Sequence, residues 1–142
     1  MREILFRAKA KCDPGRGCRT TYKKGNWIYG LITSLCDGVF ATMKNTDGMD
    51  GIDVDQSTIG QYTGLNDTKC NKIFEGDILQ VNCNCHGYEI GRVRIYYKFA
   101  MYLCDVIYGD IDFDTLGMLD ANYQLKVIGN IYDNPELLSE RE

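Results

Sequence analysis

The stretch Phe74-Glu75-Gly76-Asp77-Ile78-Leu79-Gln80-Val81 reads as the sharp start of a β-strand. Gly76 lets the backbone turn, the carboxylates of Glu75 and Asp77 can accept backbone N–H bonds at that turn, and an apolar segment follows. Tyr88 to Tyr97 reads as a second strand, joined to the first across the polar link Asn82 to Gly87. Ala100 to Tyr108 follows as a third. Its alternation of Met101, Leu103 and Asp105 against Tyr102, Cys104 and Val106 suits a strand with both faces partly covered. Gln124 to Tyr132 ends this sheet, with Leu125, Val127 and Ile131 on one face.

Upstream the two-residue period continues. Glu3 to Ala8 sets Ile4, Phe6 and Ala8 on one side of a strand, and Cys12 to Gly25 is a polar, cationic loop. Trp27 to Leu35 resumes the apolar pattern, and Asp37-Gly38 before Val39, Phe40 and Met43 marks a tight turn into a partner strand. Asn45 to Gly51 is turn-rich, Ser57 to Leu65 makes a short turn or strand, and Asn66 to Lys72 is a polar connection. No segment keeps a helical apolar period beyond about three turns. Helix is therefore expected only as one or two turns near Leu116 and Pro135. At least six short strands at spacings of about ten residues argue for a small barrel or sandwich. The expected core holds Phe6, Trp27, Tyr29, Ile59, Ile78, Val81, Val93, Ile95 and one of Val127 and Ile128, the choice depending on register.

Composition agrees with a mainly β fold. A chain of 142 residues suits one domain, and 44% hydrophobic with 25% charged residues is ordinary for a globular protein. Ten tyrosines favour pleated, half-buried surfaces, 15 glycines supply turns, and the two prolines, Pro14 and Pro135, interrupt no central strand. The net charge of -4 gives non-specific nucleic-acid binding no electrostatic support. Seven cysteines, an odd number, behind a start at Met1 to Arg7 without an apolar signal core fit a reduced cytosol. All seven are expected to be free thiols, with Cys12 and Cys18 as the pair closest to a disulfide. No apolar run approaches the roughly 20 residues that span a bilayer, so no membrane is expected.

Three clusters invite chemistry. Cys83-Asn84-Cys85-His86 offers the soft ligands of a zinc site, with Cys12 and Cys18 to complete it, but its spacing departs from a Cys-x2-4-Cys knuckle. Asp110-Ile111-Asp112-Phe113-Asp114 places carboxylates as a calcium loop begins. Thr115 and Ala121 then stand where such a loop needs its glycine and its bidentate glutamate, so an exposed acidic edge is the expectation. Arg16, Arg19, Lys23 and Lys24, with Tyr22 and Trp27 close by, could stack on and neutralise a nucleic-acid strand; a solvated loop is the plainer reading. His86 is the only histidine, and no nucleophile elbow, phosphate loop or HExxH helix is present. No catalytic residue and no cofactor are assigned.

Thr58-Ile59-Gly60-Gln61-Tyr62-Thr63-Gly64-Leu65, then Asp67, then Lys72-Ile73-Phe74-Glu75-Gly76-Asp77-Ile78 resembles the signature of the YopX family of phage-encoded proteins. Met1 to Ala8, Trp27-Ile28-Tyr29-Gly30 and Val127 to Leu138 are similar to that family's start, first hairpin and carboxyl end. The resemblance implies a phage or prophage origin and an SH3-like, partly open β-barrel. Extra N-terminal strands and a hairpin would occupy residues 1–57, signature and barrel strands 58–138, and a tail 139–142. It implies no activity. The chain departs from the family at Cys12 to Cys18 and at Cys83 to His86. The expected function is a non-enzymatic protein-binding or assembly module in the cytoplasm of a bacterial host. Its partner would be a phage or host protein, or a second copy of itself. Candidate partner-binding residues are Tyr62, Thr63, Glu75, Asp77, Arg16, Arg19, Lys23 and Lys24. A nucleic-acid module built on the Arg16 to Lys24 loop and a metal-binding domain built on Cys83 to His86 are the alternatives.

Overall fold

The computed structural model describes residues 3–15, 22–36, 40–85 and 87–139. Ten strands, one α-helix and two short 3-10 turns make up the described chain, which is mainly β. It divides into two compact units, Met1–Tyr62 and Thr63–Glu142.

The first unit is built from β1 (Phe6–Lys9), β2 (Trp27–Cys36), β3 (Phe40–Asn45), β4 (Ile52–Val54) and the beginning of β5 (Gly60–Asn66), in the antiparallel order β4-β3-β2-β1-β5. The expected hairpin is β2 with β3, in a register that sets Leu31 opposite Lys44 and Ile32 opposite Met43. Its turn, Asp37-Gly38-Val39, lies outside the described residues. At Gly30 a side chain would collide with the carbonyl oxygen of Lys44, so the absence of a Cβ lets β3 come close. Ala8, Ala10, Ile28, Ala41, Met43, Ile52 and Val54 form the core, with Phe6, Tyr22, Ile32 and Ile59 packed against it. Fully burying a large aliphatic side chain contributes about 1.5–3 kcal/mol.

The face of β2 differs from expectation. Ile28 enters the core, while Tyr29 is exposed and Trp27 half-buried. Tyr29 lies opposite Arg7, and Trp27 opposite Lys9, on the other face of the sheet. There the Arg7 guanidinium carbon is 4.6 Å and Lys9 Nζ 5.4 Å from the centre of the Trp27 ring. Both faces of β2 carry apolar groups, so a choice that depends on one residue of register was open. The cations of β1 favour the observed choice, because a ring face such as that of Trp27 attracts them.

The second unit takes the end of β5, then β6 (Lys72–Phe74), β7 (Asp77–Cys83), β8 (Glu89–Lys98), β9 (Met101–Gly109), α1 (Leu116–Asn122) and β10 (Tyr123–Asn130). Its sheet runs β10-β7-β8-β9, all antiparallel. Ile73, Leu79, Val81, Val93, Ile95, Cys104, Leu116, Leu119 and Leu125 form its core. Ile78 is also buried, so four of the expected core residues, Ile78, Val81, Val93 and Ile95, are fully inside. Val127 and Ile128 are both half-buried beside a bulge between Val127 and Gly129. A bulge breaks the strict alternation that would have chosen one of them.

Helix falls where the period allows it. α1 has seven residues, with Thr115 as its N-cap accepting from Met118 N–H, and a 3-10 turn covers Pro135–Leu138. No helix among the described residues is long and apolar enough to cross a membrane. The strand order of each sheet is linear, and no closed barrel forms among the described residues.

Both borders of the four-stranded sheet meet other chain segments. Along β10, Thr68 N–H donates to Leu125 O at 3.0 Å and Val127 N–H to Asp67 Oδ2 at 3.0 Å. Along β9, Cys104 N–H donates to Asp114 O at 2.7 Å, next to an isolated bridge between Leu103 and Thr115.

Candidate functional site

Between β6 and β7 the chain reverses at Glu75-Gly76. Gly76 sits at φ 91°, a left-handed conformation that glycine adopts without strain. Three bonds fix the turn. Gly76 N–H donates to Ile95 O at 2.8 Å, Ile131 N–H donates to Gly76 O at 2.9 Å, and Phe74 N–H donates to Asp77 Oδ2 at 2.7 Å. Asp77 is fully buried, so its carboxylate holds the turn and does not reach the surface.

A second turn follows β10. Asn130 Oδ1 accepts from Tyr132 N–H at 3.0 Å and Asp133 N–H at 2.9 Å, while its Nδ2 donates to Asp133 Oδ2 at 3.1 Å. This local network replaces strand pairing with a side-chain-stabilised turn. Between the two turns lies an open groove of about 220 Å³, lined by Glu75, Gly76, Arg94, Ile95, Tyr96, Ile131 and Tyr132. Arg94 Nη2 lies 2.7 Å from Asp105 Oδ2, and both side chains are well exposed, so the pair is weak and exchangeable. The groove thus offers a carboxylate, a guanidinium and two phenol rings. These groups can hydrogen-bond, pair and stack with a guest. The volume lies below the roughly 300–1,000 Å³ of a drug-sized ligand site and suits one inserted side chain.

The candidate residues scatter. Glu75 lines the groove, whereas Tyr62 is buried and Thr63 Oγ1 donates to Ile73 O at 2.8 Å, which makes it a strand fastener. Lys23 and Lys24 are exposed, with Lys24 N–H donating to Asp13 Oδ1 at 2.9 Å; Arg16 and Arg19 lie outside the described residues. Cys83 and Cys85 are in no disulfide, and His86 lies outside the described residues. Among the described residues no three metal-ligating side chains come together. Asp110, Asp112 and Asp114 all face solvent, while Ile111 and Phe113 between them pack on the core.

The cysteines correct one expectation. Cys36, Cys70, Cys83, Cys85 and Cys104 are in no disulfide, but Cys12 is disulfide-bonded. Cys18, its expected mate, lies outside the described residues. A disulfide needs Cα atoms within about 4.4–6.8 Å, which a tight loop can supply whatever the count of thiols elsewhere.

Arg94, Tyr96 and Tyr132 are groove residues that the sequence did not single out. The signal for Arg94 and Tyr96 was present in Arg92-Val93-Arg94-Ile95-Tyr96, where polar and aromatic residues alternate with core aliphatics and so must share the outer face.

No curated protein matches. The crystal structure of protein EF1440 from Enterococcus faecalis is similar to this chain, with a TM-score of 0.53 and 25% sequence identity, over 98% of this chain and 100% of that one. The family described as YopX protein matches residues 18–139. That span includes both turns of the groove and most of the chain, which therefore belongs to the YopX family.

Proposed function

We propose that this chain is a non-enzymatic protein-binding module of a phage or prophage, acting in the cytoplasm of a bacterial host. Its groove between the Glu75-Gly76 and Ile131-Tyr132 turns takes a side chain of a partner protein. The observation that carries this reading is the origin of the groove walls: both turns come from segments that resemble the family, the signature ending at Ile78 and the carboxyl stretch Val127 to Leu138. Rigid turns that display a few polar and aromatic groups are suited to recognition. The SH3-like architecture belongs to the same proposal. Bulges at Arg92/Val93 and Val127/Gly129 would curve the β10-β7-β8-β9 sheet towards a partly open barrel.

A photo-crosslinker placed at Tyr96 tests the groove in host lysate. The expected result is a discrete protein adduct that disappears when Arg94→Glu and Tyr132→Ala are added, with the circular dichroism spectrum unchanged. An identical adduct in the altered protein would refute the groove reading.

A second reading has its own observation. Trp27 with Lys9 and Arg7 against its ring, and Lys23 and Lys24 exposed in the same unit, would suit stacking on a single strand of nucleic acid. Retention on a filter at low ionic strength, lost steeply with salt and lost on Lys23→Glu and Lys24→Glu, is the expected signature. No retention at low salt would remove this reading.

A further inference from the structure

The groove between the Glu75-Gly76 and Ile131-Tyr132 turns belongs to an acidic body. Residues 63–142, the second unit, hold seven Lys and Arg against thirteen Asp and Glu, so the field of this unit draws cations and repels anions. The lining has the same bias. Arg94 is its single cation, and the carboxylate of Asp105, with Oδ2 2.7 Å from Nη2, already answers that charge. Counting Glu75, two carboxylates face one guanidinium. An anionic guest could reach Arg94 only by displacing Asp105, and it would then lie against both carboxylates. Glu75, Tyr96 and Tyr132 are half-buried and stand on fixed backbone: Gly76 N–H bonds Ile95 O at 2.8 Å, Tyr96 pairs with Leu103 on β9, and Tyr132 N–H donates to Asn130 Oδ1 at 3.0 Å. Phenol rings beside a carboxylate are surroundings that attract a cation. The same unit already holds one guanidinium in this way. Two residues before Arg94 on β8, the guanidinium carbon of Arg92 lies 5.0 Å from the centre of the Tyr108 ring. Its Nη1 donates to Leu137 O at 3.1 Å, and the Tyr108 hydroxyl donates to the Glu89 carboxylate.

We propose that the guest of this groove is an arginine side chain of the partner protein, stacked against the Tyr96 and Tyr132 rings and donating to the Glu75 carboxylate. The assignment rests on the groove being the binding site. Arginine suits it better than lysine for a physical reason. A guanidinium is planar and weakly hydrated, so it can lie on a ring and still point N–H groups at a carboxylate, whereas an ammonium is a strongly hydrated point charge. The volume of about 220 Å³ admits the guanidinium and the end of its stem. Arg94 serves as the clamp that holds Asp105 in place, so its loss would loosen the wall next to Tyr96. One anchor in an open groove binds weakly by itself, with a Kd in about the millimolar range, and the rest of the partner supplies the remaining affinity.

Amide NMR of the isotope-labelled full chain tests the guest, using acetyl-Gly-Arg-Gly-amide and the same peptide with citrulline, lysine or glutamate in place of arginine. The arginine peptide is expected to shift the amides of Gly76, Ile95, Tyr96 and Tyr132 and to saturate. Citrulline keeps the shape and loses the charge, so it should bind at least about tenfold more weakly. Lysine should bind at least about threefold more weakly, and glutamate should shift nothing. Glu75→Gln and Tyr132→Leu should each weaken the arginine peptide at least about fivefold, while amides away from the groove keep their wild-type positions. Citrulline or lysine binding as tightly as arginine, binding of glutamate, or an arginine affinity that neither substitution moves would each overturn the proposal. The crosslink at Tyr96 separates the guest from the groove. A discrete lysate adduct with no arginine response at about 10 mM peptide removes the guest and keeps the groove. Absence of any adduct removes the groove reading, and the guest with it.

Discussion

Asp67 accepts Lys69 N–H and Asn71 N–H on Oδ1 at 2.9 and 2.8 Å, and Val127 N–H and Asn71 Nδ2–H on Oδ2 at 3.0 and 3.3 Å. Burial by itself would raise its pKa. The backbone bonds from Val127 and Asn71, with those from the Asn71 side chain and Lys69, outweigh it and hold the group below its ordinary 3.8. A carboxyl that is more acidic folded than unfolded stabilises the fold above its unfolded value near 3.9. That stability is lost as pH falls through the folded value. Asp67→Asn is therefore expected to cost about 1–3 kcal/mol at pH 7, and the deficit should narrow below pH ~4 in urea titrations. A deficit that stays constant from pH 7 to pH 3 would show that the charge is irrelevant. Cys104 behaves oppositely: burial, and then the charge of Asp114, push its thiol up to about 12. At pH 8 a thiol reagent is expected to modify the exposed Cys36, Cys70 and Cys85 of the native protein and to reach Cys104 only after denaturation. Equal rates for all of them would contradict its burial. At this scale the sequence shows the bond but not the side it faces. Asp77 reads both as a turn carboxylate that accepts backbone N–H bonds, as it does from Phe74, and as a candidate for partner binding; such a carboxylate can face water or the core, and only the packing around Phe74 decides.

Strands were legible because their side chains alternate. The apolar period marks β7, β8 and β9, and the seven-residue helix at Leu116 sits where that period fails. Facing was less legible than extent. β2 offers Trp27, Tyr29 and Leu31 on one side and Ile28 and Ile32 on the other, and only the cations Arg7 and Lys9 on β1 break the tie. The β8–β9 turn escaped sequence reading altogether, since Phe99-Ala100 carries none of the Gly, Asn or Asp residues that announce a tight hairpin. Phe99 and Ala100 stand at φ of 55° and 60°, and that strain gives a measurable outcome. Ala100→Gly is expected to stabilise the fold by about 1 kcal/mol, because a Cβ in the left-handed region costs about that much. A drop in melting temperature would mean that the turn is not strained.

Two cores that share no residue imply that damage to one should register first in its own unit. Met43 is fully buried in the first, and Met43→Ala is expected to cost about 2–5 kcal/mol. Amide exchange should then accelerate in β2, β3 and β4 before it does in β7 and β8. Uniform acceleration across the chain would show a single cooperative unit instead. The groove was only half legible at this scale: Glu75 stood out in a motif, whereas Arg94 and Tyr132 lie 19 and 57 positions further on in the numbering and meet it only through the bonds of Gly76 to Ile95 and Ile131. The bonds of Asp67 and Thr68 along β10, and of Asp114 along β9, have a further consequence. A free sheet border is a template on which a stray strand can lay itself down, and so the starting point of fibrils. In the four-stranded sheet each border carries bonds to its own loop that a stray strand would have to displace, and a chain that has lost the Asp67 carboxylate should be the first to precipitate.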